Sequence, residues 1–159
     1  MKTIERLGLA SVLAVAIGGA ALAEDDPVLL TVTGLDEPVT FNLSQLKALK
    51  PETFETTTIW TEGVQSFTGV SLATLMEELG VEDGIVEAKA INDYAVEVPV
   101  SDAVEGGPIV AYLLNGEEMS VRDKGPLWIV YPYDANPDYQ SEVIYSRSIW
   151  QLDRIDVTE

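Results

Sequence analysis

A mixed α+β domain built mostly from antiparallel strands is what this sequence predicts, and three observations predict it. Short runs rich in β-branched and aromatic residues recur along the chain, only two or three stretches have helical character, and an Asn-Gly pair sits between apolar runs. No internal repeat or low-complexity tract interrupts the pattern.

The elements follow in order. VLLTVTG (28–34) reads as an opening strand, and VTFNL (39–43) as a second after the Asp-Glu-Pro turn at 36–38. SQLKALKP gives a short helix with Ser44 at its N-cap and Pro51 at its end. TFETTTIW (53–60) alternates, which predicts a half-buried strand ending at Trp60. TGVSLATLMEELGV (68–81) carries Leu72, Leu75, Met76 and Leu79 on one face, with Ser71 as a cap and Gly80 where a left-handed C-terminal residue belongs. This stripe reads as core. IVEAKAI (85–91) and YAVEVPV (94–100) are strands around Asn92-Asp93, followed by a helical turn at SDAVE (101–105). PIVAYLLNGEEMSV (108–121) is a hairpin, because both central positions of a type I′ turn need positive φ and Asn115-Gly116 supplies them. LWIVYPY (127–133) is another strand, ANPDYQSEV an irregular crossing, and 144–157 a turn of helix leading into a last strand.

The amino end has a different character. Lys2 and Arg6 precede an uninterrupted run of small and apolar residues, and Ala21-Leu22-Ala23 forms an A-x-A site before Glu24-Asp25-Asp26. This is the pattern of a secretory signal peptide, residues 1–23, cleaved to leave one domain over 24–159. The apolar run is shorter than the roughly 20 residues that span a bilayer. The expected location is the periplasm, with no membrane insertion after cleavage.

Composition removes several functions. The chain has 27 acidic and 9 basic residues, a net charge of −18, and the expected leader takes two of the basic ones with it. Neutralising phosphates needs clustered Lys and Arg, so nucleic acid and anionic membranes are poor partners. Cysteine and histidine are both absent. Disulfides, thiolate ligands and nucleophiles, and the usual general base go with them. The acidic residues are spread out and form no calcium loop. Against this background RDKGPLWIVYPYD (122–134) stands out, with Arg122 and Lys124 before Trp128, Tyr131 and Tyr133.

The order of several short motifs is more specific. F-x-G-V-x-L (67–72), A-x-N-D-Y (90–94), V-x-V-P (96–99), A-Y-x-x-N-G-E (111–117), K-G-P-L-W-I-V-Y-P (124–132) and W-Q-L-x-R-I-x-V (150–157) together resemble the molybdopterin-binding domain of the sulfite oxidase superfamily. The resemblance covers about residues 28–157 and implies that superfamily's fold. Its enzymes ligate molybdenum through a cysteine thiolate and hold the cofactor phosphate with a basic residue. Here no cysteine exists, and the corresponding segment reads Asp123-Lys124-Gly125-Pro126-Leu127-Trp128. A hydroxyl does not replace a thiolate as a soft ligand. Arg6 also stands alone where export of a folded metalloprotein needs twin arginines.

The chain is thus similar to the small periplasmic pterin-binding proteins of this fold. That resemblance implies a pterin ligand without molybdenum, no catalysis, and regulation of an inner-membrane protein that makes and degrades cyclic di-GMP. The alternative it leaves is an oxidoreductase domain binding molybdopterin without its metal-ligating cysteine. A pterin is a flat bicyclic ring with a guanidine-like edge, so its site needs aromatic faces, a carboxylate for that edge and donors for its carbonyl. Trp60 and Trp128, beside polar turns, read as ring contacts or as core. Trp150, between Ile149 and Leu152, reads first as core. Glu62 and Asp93 are the candidate carboxylates, each otherwise a solvated side chain. Asn92 and Tyr94 are candidates for the same wall, Lys124 for the carbonyl, and Arg147 for stacking or paired donation.

Overall fold

The residues 26–159 described by this computed structural model hold ten short strands and three α-helices, some strands ending in turns and others, at Asn42 and Ser71, running straight into a helix. The expected leader, residues 1–23, lies outside them. Strand β1 (Val28–Thr33) alternates so that Leu30 and Val32 are buried, and β2 (Val39–Asn42) runs back against it. Asn42 then caps α1 (Leu43–Ala48). Its side chain accepts from the Gln45 N–H at 2.8 Å while the Gln45 side chain accepts from the Asn42 N–H, a capping box. Ser44 is therefore not the cap; its hydroxyl donates to Asp26. Nor does Pro51 end the helix: it opens β3 (Pro51–Thr56), an edge strand where its missing N–H is harmless.

β3 was expected to continue to Trp60 and stops at Thr56. Beyond it, side-chain oxygens take the backbone donors that a ladder would need: Asp134 accepts from the Thr57 N–H, and the Thr58 hydroxyl from the Trp60 N–H. A second correction concerns residues 68–71, which are strand and not helix. They belong to β4 (Gln65–Ser71), where Gly69 lets the neighbouring backbone close in: a Cβ there would lie 2.0 Å from the Val110 carbonyl oxygen. Helix α2 (Leu72–Leu79) then starts from the Ser71 cap and ends at Gly80, φ 71°, as its sequence predicts.

β5 (Ile85–Ala90) and β6 (Ala95–Pro99) pair across the 91–94 turn, in which Asp93 has φ 67°. A single helical turn follows at Val100–Asp102. The Asn115-Gly116 hairpin joins β7 (Ile109–Leu114) to β8 (Glu117–Glu118), with both turn residues at positive φ. β9 is only Trp128–Val130, although burial extends unbroken from Leu127 to Tyr133. α3 (Glu142–Ser146) is capped by Ser141, two residues earlier than the sequence suggests, and β10 (Leu152–Thr158) closes the chain.

The strands form two sheets. One has the order β2-β1-β10-β5-β6, all antiparallel except the β1–β10 pair; the other is β3-β4-β7-β8, with β9 also on β7. One hydrophobic cluster draws on both, from Leu30, Val86 and Ile155 to Phe67, Val110 and Ile129, and takes in Leu46, Leu75 and Ile144 from the helices.

Candidate functional site

The two sheets are laced together by residues 149–152, the run into β10. The Ile129 N–H donates to the Ile149 carbonyl, the Leu152 N–H to the Leu127 carbonyl, and Trp128 and Trp150 form an antiparallel bridge. Gln151 is the knot. Its N–H donates to the Lys124 carbonyl at 3.0 Å, and its carbonyl accepts the Ile91 N–H at 2.9 Å. Gln151 (φ 54°) and Lys124 (φ 72°) both hold left-handed backbone, unusual for residues with a Cβ and a mark of sites that the surrounding fold over-determines.

A cleft of about 370 Å³ opens beside this joint, lined by Trp60, Ala90, Asn92, Tyr94, Tyr145, Ser146, Ser148, Ile149, Trp150 and Gln151. Three pieces of chain build it: the turn after β3, the β5–β6 turn, and α3 with the run into β10. Trp60 is central to its aromatic wall, meeting Trp150 at 5.6 Å, Tyr145 at 5.8 Å, Trp128 at 6.1 Å and Tyr133 at 6.2 Å, each edge to face. Such pairs prefer this geometry and fix one another's orientation.

Of the residues the sequence singles out, Trp60, Asn92, Tyr94 and Trp150 meet at this cleft. Trp150, read first as core, is half-buried and forms wall. Trp128 is fully buried behind it, edge-on to Phe67 at 5.3 Å, and its indole N–H has no protein partner. The reason is that 127–133 is covered on both faces, so the polar residues just before Trp128 say nothing about its exposure. Lys124 stays outside the lining, with its ammonium 5.9 Å from the ring centres of both Trp128 and Trp150.

The remaining candidates point elsewhere. Asp93 pairs with Arg154, Glu62 is exposed on the turn after β3, and neither carboxylate lines the cleft. Arg147 donates to Asp102 at 2.8 Å, and the Tyr131 hydroxyl donates to the same oxygen at 2.7 Å. This arginine is a structural tie between α3 and the turn after β6.

Sequence reasoning missed Ala90, Tyr145, Ser146, Ser148, Ile149 and Gln151. The signal was adjacency: five of them flank Arg147 and Trp150 in YSRSIWQ, and Ala90 opens A-x-N-D-Y. The polar lining is neutral. Asn92 accepts the Tyr94 N–H and keeps its amide nitrogen unbonded among the described residues, while Ser148 donates to the Ile144 carbonyl and accepts the Tyr133 hydroxyl at 2.6 Å. Burial pushes the Tyr133 phenol up to about 12, so it stays protonated behind the wall.

Residues 18–135 match the family described as oxidoreductase molybdopterin binding domain. The fold is similar to that in the crystal structure of the sulfane dehydrogenase SoxCD from Paracoccus pantotrophus, with a TM-score of 0.59 and 16% identity over 85% of this chain. That likeness concerns the fold alone, and the matched region is 38% of the SoxCD chain. No curated protein matches the sequence. The mostly antiparallel, sulfite-oxidase-like architecture expected from the motifs is the one observed.

Proposed function

Since the chain belongs to the oxidoreductase molybdopterin-binding domain family, we propose that it is a periplasmic protein that holds a pterin without a metal and without transforming it. The observation that carries this reading is the set of four aromatic side chains, Trp60, Tyr94, Tyr145 and Trp150, gathered on one small cleft. At about 370 Å³ it lies at the lower end of the roughly 300–1,000 Å³ typical of small-molecule pockets. A single bicyclic ring matches that scale. Ring stacking supplies about 0.5–1.5 kcal/mol per pair beyond area burial, and the Asn92 amide offers a donor to a ring carbonyl.

The residues do not fit a molybdenum centre of the kind the family resemblance implies. The chain has no cysteine for the thiolate and no histidine. Of the cations near the joint, Arg147 is committed to Asp102, and Arg154 to Asp93 and Asp153, which leaves Lys124 and the exposed Arg122 for any phosphate. Without a general base or thiolate on the cleft, a bound ring is retained and acts through protein contact. Resemblance to the small periplasmic pterin-binding proteins supplies the partner: the periplasmic domain of a membrane protein that makes and degrades cyclic di-GMP.

Titration with dihydro- and tetrahydropterins should quench tryptophan emission, and Trp60→Ala or Trp150→Ala should abolish the response. No change with any pterin at high micromolar concentration refutes the reading. The competing one, an oxidoreductase carrying molybdopterin, is favoured by family membership; molybdenum found by elemental analysis of protein from its native compartment would establish it instead.

A further inference from the structure

We propose that Asp134 is a positioning residue for the cleft, holding Trp60 in the wall through the hydrogen bonds it accepts from Thr57. The role of the cleft as a ligand site rests on the reading above; the clamp itself does not. Trp60 sits in residues 57–64, between β3 and β4 and outside both ladders. Apart from the ring contacts of Trp60 itself, the segment packs little: Ile59 and Val64 are 61% and 60% exposed. Among the described residues, its hydrogen bonds stay between residues 56 and 65 except for the two to Asp134.

Those two are short and use both carboxylate oxygens. The Thr57 N–H donates to Oδ2 at 2.7 Å and the Thr57 hydroxyl to Oδ1 at 2.6 Å, while the Asp134 N–H donates back to the Thr56 hydroxyl at 3.2 Å. Charge-assisted, two-point contact fixes direction as well as distance. From Thr57 the restraint passes along the turn: the Thr58 hydroxyl accepts the Trp60 N–H at 3.1 Å and bonds the Thr61 hydroxyl at 2.7 Å. Tyr133, the neighbour of Asp134, packs its ring on Trp60. One turn after β9 thus grips the 57–64 segment by its backbone and by its indole, although Asp134 itself lines no part of the cleft. The same bonds, from the Thr57 hydroxyl first and its N–H second, hold the Asp134 carboxyl below its ordinary range, so the clamp survives mild acid.

The test reads Trp60 in ligand-free protein by near-UV circular dichroism and acrylamide quenching, with Trp60→Phe defining its share of each signal. Asp134→Ala and Thr57→Val should both lose the Trp60 dichroism and expose it to quencher while far-UV dichroism is kept; Thr57→Ser should restore both. Pterin affinity should fall about three- to tenfold in the first two variants, the scale of one ordinary intramolecular hydrogen bond, because the loss reaches the ligand only through the position of Trp60. Wild-type dichroism and quenching in Asp134→Ala overturn the proposal, and so do the same signals in Thr57→Val if Asp134→Ala does not fold. If the wild-type protein binds no pterin, the functional reading fails while the ligand-free signals still decide the clamp.

Discussion

Trp128→Phe should cost little stability and Trp128→Ala a great deal, and the small cost of the first weighs an unpaired donor against buried area. The side chain is fully buried, edge-on to Phe67 at 5.3 Å and 6.1 Å from each of Trp60 and Trp150. Truncation to alanine empties that space and should cost about 3–5 kcal/mol. Phenylalanine keeps a ring there. Aromatic side chains bury about 150–250 Å² from smallest to largest, so at most about 100 Å², or about 2.5 kcal/mol, is surrendered. Against this stands the indole N–H, which has no protein partner; a buried unpaired donor costs about 1–3 kcal/mol. The two nearly cancel, so Trp128→Phe should lie within about 1.5 kcal/mol of wild type by this offset. Urea unfolding followed by far-UV dichroism measures both variants, provided the m value is unchanged. Because Trp128 backs the wall without lining it, pterin affinity should also persist in the phenylalanine variant. A Trp128→Phe protein as unstable as Trp128→Ala refutes the reasoning.

Tyr133 gives a pH dependence. Its phenol is raised by burial from 10.0 to about 12, so its contribution is intact below pH 10 and lost as pH rises toward 12; fully expressed, that is about 2–3 kcal/mol. Urea midpoints measured from pH 9 to 12 should therefore fall less steeply in Tyr133→Phe, and an unchanged slope contradicts the assignment. Gly69→Ala should destabilise by the upper end of the roughly 1–3 kcal/mol seen for overpacking, or more, because its Cβ would meet the Val110 carbonyl at 2.0 Å and the Ala111 Cα at 2.6 Å, both backbone. Thermal unfolding checks this, and a wild-type midpoint would mean that β4 and β7 can separate freely.

What the sequence discloses about the fold is what local chemistry decides. Ser71 and Gly80 bound α2 because a hydroxyl cap and a left-handed glycine act within a few residues, and Asn115-Gly116 turns the β7–β8 hairpin for the same reason. Its errors come from long-range competition. Thr57 to Trp60 alternate like a strand, yet Asp134, 77 residues away, captures Thr57. Thr68 to Ser71 join the helical pattern on paper, but a glycine allows β7 to approach and the strand wins. The tryptophans divide on the same ground. Trp128 and Trp150 are partners in one bridge, one wholly enclosed and one facing the cleft, and no property of their immediate neighbours separates them.

The acidic composition also reads differently once the site is in place. A pterin's guanidine edge calls for a carboxylate, but among the described residues no acidic side chain lines the aromatic cleft. They gather elsewhere, as in a larger groove edged by Asp36, Glu37, Glu82, Asp83 and Glu159. Asp93, the acid nearest the cleft in sequence, is spent on Arg154. On the proposed reading, recognition at the cleft falls to ring faces and to the neutral amide of Asn92, with Lys124 above the Trp150 ring as a nearby cation; the Gln151 amide nitrogen already donates to the Val121 carbonyl. Such a set discriminates by shape and by placement of single donors rather than by net charge, because a neutral amide gains nothing from a ligand's charge at a distance while a carboxylate would. The charge that dominates the composition is thus segregated from the pocket, and the RDKGPLWIVYPYD segment serves the pocket from behind: Lys124 at the rim, Trp128 and Tyr133 as backing, and Asp134 as the clamp on Trp60.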